Sequence, residues 1–289
     1  LNVAPIELQS KSTLAPRHAL IDLHCHLLYG IDDGAADLKE SLEMARLSVA
    51  EGVSVIACTP HMFPGVYNNS GPDVRARIDA LQSELDEAGI GCRLVCGGDL
   101  HVVPDLLAKL RSGEALSLND SRYVLVEPPH HILPPNIEAL FFNLLSAGYV
   151  PILTHPERMS WIEREYDLIV RLVRSGVWMQ LTAGALLGEF GSRARKWSLQ
   201  LLREGLVHVV ASDAHGASKR PPRMGEALGA LIELVGEDEA LNLVQVRPEA
   251  IVNNQAPSTV PQPLNSEPAV YEGDRESLWN KVSRYFRVD

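Results

Sequence analysis

The chain has 289 residues, 46% of them hydrophobic and 22% charged, a balance that fits one large globular domain or two ordinary ones. A formal net charge of -11 argues against a general nucleic-acid binder, because a polyanion needs a basic footprint. No apolar run reaches the roughly 20 residues that span a bilayer, and residues 1–17 lack the apolar core of a secretory signal, so a cytoplasmic protein without stable membrane insertion is expected.

Residues 1–18 carry Ser, Pro and Lys without periodicity and read as a flexible N-terminal arm. The apolar run Ala19 to Leu23 then reads as a buried strand leading into His24 and His26, which share a face because strand side chains alternate. After a loop that carries Asp33, the sequence Asp37-Leu38-Lys39-Glu40 is a capping-box helix start, with Leu38, Leu42, Ala45 and Val49 as the inward stripe and Gly52 as the stop. Val53 to Cys58 is a β-branched strand ending in Thr59-Pro60-His61, with a helix from about Pro72 to Ala88.

The same unit recurs. Cys92 to Cys96 leads into Gly97-Gly98-Asp99, with a helix after Pro104. Tyr123 to Val126 ends at Glu127 and precedes a helix from about Asn136 to Ala147. Val150 to Thr154 ends at His155 and precedes a helix from about Glu163 to Ser175. Val177 to Leu181 is followed by a helix from about Arg193 to Arg203, and Leu206 to Ala211 ends in Ser212-Asp213-Ala214-His215 before two helical stretches between Arg223 and Val246.

Seven strands alternating with helices predict a parallel sheet covered by helices. Polar residues sit at the C-terminal ends of six strands rather than at one switch point, and no GxGxxG or Walker sequence supports an open nucleotide-binding sheet. The expectation is a distorted (β/α)7 TIM-like barrel over residues 19–254. Residues 255–289 read as a linker and C-terminal tail, with a short amphipathic helix over Glu276 to Phe286 that docks on the barrel or binds a partner. Cys25, Cys58, Cys92 and Cys96 read as buried free thiols of a reducing compartment; Cys92 and Cys96 lack a second Cys/His pair to make a zinc site.

The strand ends collect five histidines and four carboxylates: His24, His26, Asp33, His61, Asp99, Glu127, His155, Asp213 and His215. Imidazole mixed with carboxylate suits manganese, iron or zinc, and so many donors suit on the order of two or three ions. Clustered cations polarise a phosphoryl or carbonyl oxygen and lower the pKa of a bridging water. His18, His101, His130, His131 and His208 read as structural, with His130 and His131 as alternatives for lining a substrate entrance. Arg158 in THPER and Arg220 in KRPP leave the same rim, where a guanidinium fork matches phosphate; Arg223 reads as an exposed helix-start residue.

In order along the chain, HxH, GIDDG, TPH, GGD, a strand-end Glu, HPER, LLGEFG, ASDAH and RPP resemble the PHP superfamily (polymerase and histidinol phosphatase). Within it the chain is similar to the CpsB/CapC-type manganese-dependent protein-tyrosine phosphatases of bacterial capsule and exopolysaccharide operons. The resemblance implies a trinuclear site: one ion on His24, His26, Asp99 and Asp213, a second sharing Asp99 with Glu127 and His155, a third on Asp33, His61 and His215. Arg158 and Arg220 would hold the phosphate, with Asp213 and His215 in the catalytic set. Relatives of this kind usually carry Glu where this chain has Asp99, whose shorter arm must still reach two ions. The implied reaction is attack of a metal-bound hydroxide on phosphotyrosine, carried by a partner such as a bacterial tyrosine kinase. Alternatives are a small-molecule phosphatase such as histidinol phosphatase, a polymerase-type nuclease, and a non-catalytic metal-binding regulatory protein. The strand-end lysine usual in an amidohydrolase has no counterpart here.

Overall fold

The computed structural model describes residues 19–264; the arm at 1–18 and the tail helix expected over Glu276 to Phe286 lie outside the described residues. Among the described residues nine parallel strands form two sheets, ordered β1 (Leu20–Cys25), β2 (Val53–Cys58), β4 (Arg93–Cys96) and β3 (His61–Met62), β5 (Asp99–His101), β6 (Tyr123–Glu127), β7 (Val150–Thr154), β8 (Trp178–Thr182), β9 (Val209–Ala211). The two sheets are halves of one curled sheet. Cys58 pairs with Cys96 and, three residues on, His61 pairs with Asp99, so β2–β3 and β4–β5 are one pair of strands bent together at Thr59-Pro60 and Gly97-Gly98. Pro60 has no N–H for a ladder. A Cβ on Gly98 would sit 2.5 Å from Met62 Sδ, so a larger residue there would have to displace the Met62 side chain. Counting each bent pair as one gives the seven strand positions expected from the sequence.

The curled sheet is drawn together at the C-terminal rim and plugged at the base. At the rim, Asp213 N–H donates to His24 O (2.7 Å) and His26 N–H to Ala214 O (2.9 Å), joining β1 to the segment after β9. Near the base, the helical turn Leu118–Asp120 packs against both β4 and β6, while a π-helical turn at Asn242–Val246 and helix α10 (Arg247–Val252) pack against β1. Tyr123, Leu125, Ile152, Trp178 and Val209 fill the interior with Ile251 and Val260 beneath them. Residues 255–263, expected to begin a linker, therefore help to close the base: Tyr123 Oη donates to Gln255 O (2.9 Å) and Arg247 Nε to Pro261 O (2.7 Å).

Helices cover the outside: α1 (Leu38–Ala50), α2 (Gly71–Glu87), α3 (Leu106–Ser112), α4 (Ile137–Ser146), α5 (Tyr166–Arg174), α6 (Ala183–Leu187), α7 (Gly191–Arg203), α8 (Met224–Val235) and α9 (Glu237–Leu241). The cap of α1 forms as expected, with Asp37 Oδ1 accepting from Glu40 N (2.9 Å). Its buried face differs: Ser41, Met44, Ala45 and Ser48 point inward, and Leu38, Leu42 and Val49 lie half-buried at its edges. The two serines fit because each hydroxyl has a carbonyl, Leu27 O at 2.6 Å and Met44 O at 3.0 Å.

One irregularity positions the first histidine pair. Ile21 and Leu23 belong to the interior apolar layer, so in a regular strand His24 and His26 would face the opposite way. Between Asp22 and Cys25, β1 advances three residues while β2 advances two (Ile56 to Cys58), a bulge that swings the histidines to the interior. Asp22 anchors it, accepting from Ser212 N (2.9 Å) and Ser212 Oγ, while Cys25 N–H donates to Thr59 Oγ1 (3.0 Å).

Candidate metal centre

All nine residues singled out from strand ends reach one hollow at the rim. Nε2 of His24 and of His26 are 3.2 Å apart and lie 3.4 and 3.5 Å from Asp213 Oδ1. Asp33 Oδ1 is 3.4 Å from Nε2 of both His61 and His215, and the His26 and His215 rings are 3.8 Å apart. Asp99 Oδ2 is 3.2 Å from His61 Nδ1 and 3.6 Å from His24 Nε2. Glu127 reaches His155 Nε2 at 3.3 Å through Oε1 and His61 Nδ1 at 3.3 Å through Oε2. Their ligand atoms form four overlapping groups: His24, His26, Asp213; His26, Asp33, His61, His215; His61, Asp99, His101, Glu127; and Glu127, His130, His155.

Two histidines read as structural from sequence belong to these groups. His101 Nε2 lies 2.7 Å from Glu127 Oε2, and His130 Nε2 lies 3.0 Å from Glu127 Oε1. His101 escaped notice because β5 is three residues long and follows a break. Its signal was the Asp-x-His spacing, which puts both residues on one face. Supporting groups were missed as well. Asp32 accepts from His26 Nδ1 (2.7 Å), and Gln180 Oε1 meets His24 Nδ1 at 3.0 Å, fixing which ring nitrogen faces the hollow. His208 is a satisfied core residue as expected: its Nδ1 accepts from Met179 N (3.2 Å). Arg223 stands at the start of α8, paired with Glu189 (3.0 Å) and Glu226 (3.3 Å).

Burial and charge are arranged for cations. Neither oxygen of fully buried Asp99 accepts a hydrogen bond, nor does Glu127 Oε2. Orphaned carboxylate oxygens in a dry site are costly unless a cation meets them. In the protein alone, protons take that part. Burial opposes charge on His24, but Asp213 and Asp99 outweigh it and lift its pKa to about 9. Burial and Glu127 push Asp99 upward, yet His24 and His61 bring it down to about 2. Burial, reinforced by Arg158, holds His155 neutral with a pKa of about 4, the form in which an imidazole binds metal. His155 and Asp213 also have left-handed backbone (φ 34° and 51°), a conformation that costs a non-glycine residue about 1–3 kcal/mol and clusters at functional sites.

Both arginines arrive on the same carboxylate. Arg158 pairs with Asp213 Oδ2, and Arg220 Nη2 donates to that atom at 2.5 Å, while Oδ1 faces the histidines. Asp213 thus stands between the cationic pair and the donor cluster. Phe190 underlies both guanidiniums, its ring centre 4.5 Å from Arg158 Cζ and 5.4 Å from Arg220 Cζ. Beside them, buried Glu157 accepts from Thr182 N (2.9 Å), and burial raises its carboxyl pKa to about 7.

The fold and rim define a class: a parallel α/β barrel presenting a histidine–carboxylate cluster beside a pair of arginines. A model of the family described as capsular polysaccharide synthesis, CpsB/CapC, matches residues 20–253, so the chain belongs to the CpsB/CapC family. It is 37% identical over 236 residues to the tyrosine-protein phosphatase YwqE of Bacillus subtilis, spanning 82% of this chain and 92% of that protein. To the putative tyrosine-protein phosphatase CapC of Staphylococcus aureus it is 34% identical over 202 residues, spanning 70% and 79%. A crystal structure described under YwqE from Bacillus subtilis and CpsB from Streptococcus pneumoniae, metal-dependent tyrosine phosphatases, superposes with a TM-score of 0.79 at 37% identity, covering 84% of this chain and 99% of that one. A β-aspartyl dipeptidase from Fervidobacterium islandicum, at 14% identity and a TM-score of 0.50, shares the barrel fold alone.

Proposed function

We propose that this chain is a manganese-dependent protein-tyrosine phosphatase that removes phosphate from a bacterial tyrosine kinase controlling capsule or exopolysaccharide synthesis. The observation that carries the reading is Asp213, with one oxygen toward the histidines and the other taking both arginines. A phosphoryl group held by Arg158 and Arg220 sits one carboxylate away from the donor cluster. The family membership and the relatives named tyrosine-protein phosphatases support the same assignment.

His24, His26, Asp99 and Asp213 would hold one ion, Asp99, Glu127 and His155 a second, and Asp33, His61 and His215 a third. Bound there, divalent cations supply Lewis acidity toward phosphoryl oxygens and lower the pKa of water. The chain's own groups do the rest. Arg158 and Arg220 orient the phosphate and neutralise charge on its oxygens, and Phe190 keeps their planes in place. Asp32 and Gln180 hold the ring nitrogens of His26 and His24 in the tautomers that leave Nε2 free. Phenolate is a good leaving group, so departure demands little of a general acid.

The rim also suits an aromatic phosphoester on a protein. Tyr29, Val66 and Ile132 are exposed on the loops after β1, β3 and β6, and Tyr67 stacks on His61 with centroids 5.3 Å apart. Among the described residues no helix is long and apolar enough to cross a membrane, and all four cysteines are free and buried, which supports a cytoplasmic site of action. The test is turnover of a phosphotyrosyl peptide against histidinol phosphate and single-stranded DNA, with added manganese and again with EDTA. Metal-dependent preference for the peptide is expected. Equal or better turnover of histidinol phosphate would sink the reading.

A further inference from the structure

We infer that His101 is itself a metal ligand, acting with Asp99, Glu127 and the Nδ1 of His61, whose Nε2 faces Asp33 so that its imidazolate bridges two ions, and so enlarges the donor set beyond the nine strand-end residues. This rests on the metal-dependent reading above.

Asp99 and His101 sit two apart on β5 and project to the same side, the device that β1 uses for His24 and His26. Their donor atoms, with those of His61 and Glu127, all lie within 4.8 Å of one another. The spacing suits donors that share an ion, with His101 Nε2 also within hydrogen-bond distance of His61 Nδ1. His101 Nε2 is 2.7 Å from Glu127 Oε2, yet that oxygen has no aligned hydrogen bond and neither has Asp99. His101 Nε2 and His61 Nδ1 are 3.1 Å apart, close to the 3.2 Å between the facing nitrogens of His24 and His26. Two nitrogens each about 2.1 Å from one ion lie roughly 3.0–3.4 Å apart in octahedral or tetrahedral geometry.

The rest of the surroundings fix the ring for this role. Phe63 stacks on the outer face of His101 with centroids 4.2 Å apart and planes 6° from parallel. The short arm of Asp99 gives β5 a carboxylate with limited reach, and an imidazole from the same strand adds a second donor where that reach ends. His101 thereby turns β5 into a two-ligand strand.

The experiment loads full-length protein with manganese, removes excess by desalting, and measures bound metal for wild type, His101→Ala and His101→Gln. Manganese-edge anomalous diffraction from wild-type crystals accompanies it, and thermal melting in EDTA checks that each variant folds. The expected result is an anomalous peak about 2.2 Å from His101 Nε2, with both variants binding one ion at least about tenfold more weakly. Peaks that all lie beyond hydrogen-bond distance of His101, or variants with the full wild-type metal complement, would overturn the ligand assignment and leave the phosphatase reading standing. Wild-type protein that binds no metal would overturn both. If His101→Ala fails to fold, the diffraction result alone decides.

Discussion

The two ends of the barrel bury charged or polar groups to the same degree and treat them in opposite ways. At the base, His208 is fully enclosed, and burial together with Arg247 holds its pKa well below the ordinary value, so the ring is neutral and spends its Nδ1 on a backbone N–H. Arg247, equally enclosed, is paired with Glu239 at 2.9 Å and with the carbonyl of Pro261. At the rim His24 is no more exposed, yet its pKa climbs to about 9 because its neighbours are Asp213 and Asp99. Burial alone therefore does not set the state of a histidine here; the sign of the nearest charge does. The base pairs its buried groups internally, and the rim leaves oxygens of Asp99 and Glu127 without an aligned hydrogen bond.

That contrast can be broken from either end. Removing metal with EDTA should bring turnover of a phosphotyrosyl peptide to background and lower the melting temperature by about 5–10 °C, since a ligand bound at about 100 times its Kd stabilises by roughly 2.7 kcal/mol; manganese should restore both. Asp213→Asn, which strips the rim of the carboxylate shared by arginines and histidines, should cost about a thousandfold in kcat/KM and reduce bound metal, read by peptide kinetics and elemental analysis. At the base, Trp178→Ala should cost about 3–5 kcal/mol in urea unfolding while the folded fraction keeps its full metal complement. A variant that lost metal in proportion to stability would erase the distinction between the two ends.

Smaller effects sharpen it. Phe190→Leu removes an aromatic face worth about 1 kcal/mol to a nearby cation, so KM for the peptide should rise about threefold to tenfold with metal content unchanged. In metal-free protein the folded pKa of His24, about 9, exceeds its ordinary 6.5. Its contribution to stability is then fully present below pH 6.5 and lost as pH rises through 9. Thermal melts in EDTA should show that decline, and His24→Gln should flatten it.

Part of this architecture was legible because the regular strands of the barrel interior alternate. Tyr123, Leu125 and Glu127 share a parity, so an apolar run ending in an acid points that acid into the rim. What escaped depends on contacts between distant segments. The bulge in β1 is held by Ser212 and Thr59, 190 and 34 residues from their partners, and no local pattern announces it. The bend shared by β2–β3 and β4–β5 hid β5, and with it the parity of His101. Hydrophobic spacing placed α1 correctly but rotated its buried face, because Ser41 and Ser48 find carbonyls that periodicity does not weigh. The short helix α6 carries no side-chain cap that marks its start.

The extra residue in β1 has a consequence for how this chain tolerates change. With it, the lower half of the strand answers to hydrophobic packing and the upper half to the histidine–carboxylate cluster, on opposite parities of one short segment. Deleting a single residue between Asp22 and Cys25 would bring the two halves into phase, so that one could face inward only by turning the other out. Substitutions there are ordinary matters of fit, whereas a change of length by one forces a choice between a filled interior and a loaded rim.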